Sequence, residues 1–256
     1  MKTKSISLSF GLVMAWIFVT ALDPRIAAGQ EPDSAATAKE ESQESANKRR
    51  LAEMRKLAGT IQVAVRQGEE SKEAKLIEKP LFRFTDPRLY SDGSVWAWST
   101  IGRPVVMVEF RTHYREEGVW PHDLVATSDV RVSARIAGRG KWAPQEADFK
   151  LLPVPSIGAP ASSEAGRLRQ MKRFAASLSA TKEWENQRYE LRLLTTEIHR
   201  YSDAPNGLID GAAFAFGDDS NPEAILFVEA HKSDTGKGAP ASWKYGLARM
   251  SAAAST

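Results

Sequence analysis

The chain has 256 residues, 42% hydrophobic and 26% charged. That is enough apolar material for a packed core and too evenly mixed a charge pattern for a disordered chain. Its 35 basic and 32 acidic residues give a net charge of only +3, which implies no polyanion partner and no nucleic acid. The absence of cysteine excludes disulfides, thiolate metal sites and a lipid-modified N-terminal cysteine, so stability must come from packing alone.

The first residues, MKTKSISLSFGLVMAWIFVTALDPRIAAG, carry Lys2 and Lys4 ahead of an apolar run from Ile6 to Leu22. Small residues then stand at Ala27, Ala28 and Gly29. This is the pattern of a secretory signal peptide over residues 1–29, cleaved before Gln30; an uncleaved anchor is the rival reading. Cleavage leaves 32 basic and 31 acidic residues, and no other run is long enough to cross a membrane. The protein is therefore expected to be exported, to the periplasm or beyond the cell, with no membrane attachment after cleavage.

Residues 30–48 are polar, rich in Ser, Glu and Ala, and lack an apolar period, which predicts a flexible tether. From Arg49 the spacing of Leu51, Met54, Leu57, Ala58 and Ile61 predicts an amphipathic helix. Strand patterns follow in LFRFTD, DGSVWAWS, RPVVMVEFRTHY and DVRVSARIAG. Residues 138–165 are punctuated by proline and read as a connector. A second helix, starting near Ser162 or Ser163, places Leu168, Met171, Phe174, Ala175 and Leu178 on one face. Strand patterns return in RYELRLLTTEIHRY, GAAFAFG, EAILFVEA and WKYGLARMS.

Helix-then-strands thus occurs twice. At an offset of 117 residues RLAEMRKLA lies over RLRQMKRFA, and Arg83 and Asp86 fall on Arg200 and Asp203. At 118, DGSVWAW lies over DGAAFAF. Further on, Val108-Glu109 meets Val228-Glu229 and WPHDLVATS meets WKYGLARMS. The ordered recurrence predicts an internal duplication of a unit of one helix and about four antiparallel strands, over residues 49–137 and 166–256. The expected fold class is α+β, rich in antiparallel sheet.

The segments RLRQMKRFA, YELRLL, RYSD, DGAAFAFG and NPEAILFVEA, with DGSVWAW and GRPV, resemble a family of secreted proteins of planctomycete bacteria. The resemblance spans about Leu81 to Trp243 and is more specific in the second half. It implies export and a shared fold; it carries no activity and no catalytic residue. Where similar proteins tend to read LRLLPQP, this chain has LRLLTTE.

Candidate chemistry is sparse. Asp203 and Asp210 are spaced to serve as an acid and a base across a turn, but matching Asp86 and Asp92 favour turn chemistry needed twice. Arg83 and Arg200 each precede an Asp by three residues, which suggests Arg83–Asp86 and Arg200–Asp203 ion pairs; anion binding by Arg200 is the alternative. Glu229 shares a strand face with Ile225 and Phe227, and a carboxyl buried there would suit a general acid. His199 stands opposite Phe82 in the first unit, so duplication does not account for it. The four histidines show no metal-ligand spacing, and no cofactor motif occurs. Ser179 to Lys182 fits S-x-x-K, but it falls at an expected helix end without companion motifs. Trp96, Trp98, Phe214 and Phe216 read as core, whereas Trp142 and Trp184 lack counterparts and are the better ligand-contact candidates.

The sequence therefore predicts an exported, non-catalytic binding or structural protein, with a cell-envelope component or small molecule as its ligand. The alternative is a periplasmic hydrolase with Glu229, His199 or Asp210 in a site between the two units.

Overall fold

The computed structural model describes residues 4–8, 33–86, 91–113, 120–138, 140–144, 149–154, 157–184, 187–218, 221–233 and 240–250. Among these residues the chain forms two sheets and two α-helices, as an antiparallel-sheet-rich α+β fold requires. Strand β1 (Lys4–Leu8) comes first, then helix α1 (Asp33–Gly59). Six strands come after it: β2 (Ile61–Gln67), β3 (Glu70–Leu76), β4 (Phe82–Asp86), β5 (Ser91–Ser99), β6 (Pro104–His113) and β7 (Trp120–Ala126). Next are β8 (Arg131–Ile136), β9 (Gly140–Trp142) and β10 (Leu152–Pro153). After helix α2 (Glu164–Ala176) come β11 (Leu178–Trp184), β12 (Gln187–Leu193), β13 (His199–Asp203), β14 (Leu208–Asp218), β15 (Asn221–His231) and β16 (Ser242–Arg249).

The first sheet runs β7-β6-β5-β3-β2-β8-β9 with β4 paired to β5. The second runs β1-β11-β12-β14-β15-β16-β10 with β13 paired to β14. All pairings are antiparallel except β1 with β11. The stretch β2-β3-β5-β6-β7 thus has the same order and attachments as β11-β12-β14-β15-β16.

Alternation along the strands explains how the layers stack, because each strand of a buried sheet must be apolar on both faces. On β5, Trp96 and Trp98 point to α1 and pack with Met54 and Ala58, while Val95 and Ala97 point the other way. On β14, Phe214 and Phe216 meet Met171, Phe174 and Ala175 of α2, while Ala213 and Ala215 face away. The outward-facing sets join with Met107, Phe149, Tyr201, Ile225 and Phe227 in a third core between the sheets. The order of layers is α1, first sheet, second sheet, α2. The four aromatics read as core are therefore core.

Each helix leads into six corresponding strands, β2–β7 and β11–β16, where about four were expected. The added strands arise where the sequence offers weak patterns. ESKEAKL (β3) is charged along most of its length, and LSATKEW (β11) reads as a helix end. Pairing makes both strands: β3 lies between β2 and β5, and β11 along β12. The S-x-x-K motif is consequently on a strand, where residues three apart face opposite sides. The run RYELRLLTTEIHRY is two strands, β12 and β13, on either side of a loop.

Two boundaries also shift. Residues 33–48, expected within a tether, are the first part of α1. Ala, Glu, Lys and Gln favour helix without any apolar stripe, and Lys48 pairs with Glu44 one turn away. The connector 138–165 contributes an edge strand to each sheet, β9 to the first and β10 to the second.

Candidate functional site

The residues singled out from the sequence divide between the two faces of the second sheet. Arg200 and Asp210 lie on the α2 face, and His199 and Glu229 lie between the sheets. A single site collecting all four is thereby excluded, since a layer of sheet separates them.

On the α2 face, Asp210 is 4% exposed and accepts bonds from two arginines. Arg167 of α2 donates from Nε at 2.8 Å, and Arg200 of β13 donates from Nε at 3.1 Å and a terminal nitrogen at 2.8 Å. Arg200 also donates to the carbonyl of Glu164, and Arg167 to those of Ala161 and Ser162. The first half builds the same cluster. Asp92 accepts from Arg50 of α1 at 2.9 Å and from Arg83 of β4 at 2.8 Å, and Arg83 donates to the carbonyl of Asn47. Each cluster pins a helix and a short strand to a long strand. Burial pushes the Asp210 pKa up, but the bonds and charges of Arg200 and Arg167 outweigh it and hold the carboxyl below its ordinary value.

These clusters correct two expectations. Arg200 pairs with Asp210 and not with Asp203, and Arg83 pairs with Asp92, because each side chain reaches its diagonal neighbour across the ladder. Asp210 is not in a turn; it is buried inside β14. Asp203 does cap a turn, accepting from the backbone and side chain of Asn206; the side chain of Asp86 lies outside the described residues.

Between the sheets, Glu229 of the interior strand β15 is fully buried and has three partners. The Tyr201 hydroxyl donates to it at 2.8 Å, His231 Nε2 lies 2.7 Å from it, and Arg103 of the first half donates at 3.3 Å. Arg103 also reaches Asp129 and stands over the Phe149 ring. Burial raises the Glu229 pKa, and the bond from His231, the charge of Arg103 and the Tyr201 hydroxyl together bring it below the ordinary value. Burial, with Glu229 beside it, pushes the Tyr201 hydroxyl well above its usual range.

Glu109, at the corresponding place on β6, is as deeply buried but differently served. Arg111 donates to it twice, at 2.6 and 3.0 Å, and both bonds fall on Oε1. Burial pushes its pKa up to about 7 against the charge of Arg111, and Asp123 and Glu223 nearby add to the rise. Arg111 does not offset the burial of Glu109 and the nearby negative charge, whereas three partners offset the burial of Glu229.

His199 is half-buried, its ring stacked on Tyr201 at 5.5 Å, and burial lowers its pKa. Phe82 and Phe84 make the matching stack at 6.4 Å in the first half. His199 therefore fills an aromatic place, and among the described residues its ring partner is Tyr201. Trp142 is half-buried against the α1-side core; the Trp184 side chain lies outside the described residues. Among the described residues no group of His, Asp and Glu is arranged to hold a metal.

Open volume lies elsewhere. A groove of about 610 Å³ runs along the loop that joins β12 to β13, opposite the entry to β4. Leu81, Phe82, Leu193, Leu194 and Ile198 supply apolar walls, with Thr195 and Thr196 exposed beside it. Leu81 and Ile198 bond by their backbone N–H to the carbonyls of Val95 and Ala213, so both walls are anchored to the long strands. Sequence reading missed this groove, because it needs two loops 117 residues apart. It also missed Arg103 and Tyr201 as partners of Glu229. Only the alignment of Tyr201 with Phe84 marks that position as an added hydroxyl.

Comparison with protein-family models, with curated proteins and with solved structures found no match to this chain.

Proposed function

We propose that the chain is an exported, non-catalytic binding protein, and that the groove between Leu81, Phe82 and the 193–198 loop takes the apolar body of a small molecule. One observation carries this reading: the acid and base candidates are engaged by protein partners on opposite faces of a sheet, while a mostly apolar groove, with Arg192 and Glu197 also on its lining, lies elsewhere. A volume of 610 Å³ lies within the range of small-molecule sites, which are mostly apolar with a few polar groups at the rim. Export rests on the basic, apolar and small-residue segments of residues 1–29 and on the resemblance to secreted planctomycete proteins.

An internal duplication accounts for several pairs of features at offsets of 117 or 118 residues. Arg50, Arg83 and Asp92 correspond to Arg167, Arg200 and Asp210. The bonds Ile77 to Ala97 and Leu81 to Val95 correspond to Leu194 to Ala215 and Ile198 to Ala213. Phe84 lies over Gly93 as Tyr201 lies over Gly211. The unit duplicated is one helix and six strands.

The test is a titration with N-phenyl-1-naphthylamine, whose fluorescence rises in apolar surroundings. The chain should give saturable enhancement, and Thr195→Trp, which fills the groove from an exposed position, should weaken it at least tenfold with unchanged circular dichroism. Absence of saturable binding by the wild-type chain would refute the reading. A hydrolase between the sheets is the second reading. It rests on the Glu229–His231 contact, in which the His231 side chain keeps 17% exposure. Turnover of an ester or peptide substrate that is lost in His231→Gln would favour it.

A further inference from the structure

The edge of the second sheet at β11 is unlike its counterpart. In the first sheet, β2 holds the corresponding place and is covered by β8 from Ile61 to Arg66, with β9 beyond it. Among the described residues β11 is covered on that edge by β1 alone, in parallel register from Lys4 opposite Leu178 to Leu8 opposite Lys182. β1 belongs to the segment that signal cleavage removes, so any role for this edge in the mature chain rests on the export reading. Without β1, the backbone groups of β11 facing that edge lose their ladder, and an unpaired edge is a template for another strand.

Edges are commonly guarded by charged side chains, lysine above all, whose charge is left unneutralised. Here Lys182 is held instead by Asp218 and Glu223, each at 2.8 Å. Ala180 and Thr181 are buried beside it, and Ala180 belongs to the α2-side core, so the strand itself is fixed in place by packing.

We infer that the exported chain uses β11 as a docking edge for an extended peptide segment of another polypeptide, added in parallel as β1 is. The seated segment, Lys-Ser-Ile-Ser-Leu, defines the occupant: five residues, extended, with polar and aliphatic residues alternating from Ser5 to Leu8 in the sequence. In strand addition the backbone bonds supply the affinity, and alternate side chains supply selectivity. A second copy of the chain fits less well, because identical strands paired across a twofold axis run antiparallel.

The test begins with the full chain expressed in a secretion-competent bacterium and the N-terminus of the exported product read by mass spectrometry. Retention of residues 1–29 in the exported product overturns the cleavage on which the export reading of this edge depends, and this inference with it. A product beginning at Gln30 is then titrated with a synthetic peptide of residues 1–10. The expected result is saturable one-to-one binding, with amide exchange at residues 178–182 slowed at least tenfold. A peptide carrying Ile6→Pro, which cannot complete the ladder, should bind at least tenfold more weakly. No binding by the cleaved product, equal binding of the proline peptide, or doubling of the mass with protection at β11 and no peptide present each overturns the docking edge and leaves export standing.

Discussion

Two glutamates at equivalent strand positions, both buried between the sheets, end with pKa values displaced in opposite directions. Glu229 has a hydroxyl, an imidazole and a guanidinium; Glu109 has one guanidinium and two neighbouring carboxylates. Their contributions to stability therefore have opposite pH dependence. Glu109, raised from 4.5 to about 7, contributes stability that is full below pH 4.5 and lost as the pH rises through 7, a swing of about 3 kcal/mol. Glu229, depressed, contributes stability that is present above pH 4.5 and lost as the pH falls through its folded value. Glu109→Gln should thus stabilise the protein at pH 8, by up to about 3 kcal/mol, and have little effect at pH 4.5. Glu229→Ala should destabilise by roughly 3–5 kcal/mol at pH 8, since Arg103 and His231 lose a buried partner. Urea unfolding at the two pH values checks both signs; destabilisation by Glu109→Gln at pH 8 would contradict the opposed behaviour of the two carboxyls.

Helix α2 has the complete set of devices at its start. The Ser163 side chain accepts from the N–H of Gly166, Glu164 stands in the first turn, and Arg167 reaches out to Asp210. Ser163→Ala should cost about 1 kcal/mol, the usual value of an N-cap. Asp210→Asn should cost several times more, roughly 3–5 kcal/mol, because Arg167 is left buried without its carboxylate. Thermal denaturation of the two variants gives the ratio, and equal costs would mean that the Arg–Asp–Arg cluster does not hold the helix to the sheet. The helix itself was legible in the sequence, starting at Ser162 or Ser163 and carrying the Leu168, Met171, Phe174 and Ala175 stripe, although Leu178, read on the same face, begins β11. Its tie to Asp210 was not, since that depends on which residue of β14 lies beneath the first turn.

The two helix-and-sheet halves share one core. Val95, Ala97 and Met107 from the first sheet pack with Ala213, Ala215, Ile225 and Phe227 from the second, and Arg103 carries a bond from one half to the other. Neither half can keep that face dry alone. The whole chain should therefore unfold in a single transition, and residues 157–256 made separately should be unfolded or aggregated, which circular dichroism and sedimentation would show. Two independent transitions in the whole chain would contradict a shared core.

By itself the sequence determined which segments are apolar on two faces, the start of α2 to within one residue, and which motifs recur in order. Those come from local period and local capping, which a chain carries wherever it is placed. Only the tertiary structure decided that Asp210 serves two arginines, that Glu229 and His199 lie on the other side of the sheet from Arg200, and that a groove opens beside the 193–198 loop. Each of those depends on neighbours from separate elements, as far as 43 residues apart for Arg167 and Asp210. Strand pairing and sheet packing set such neighbours, and no local pattern encodes them. The same holds for ESKEAKL as a whole element. It has almost no strand character, yet β2 and β5 on either side leave a strand as the one conformation that satisfies its backbone.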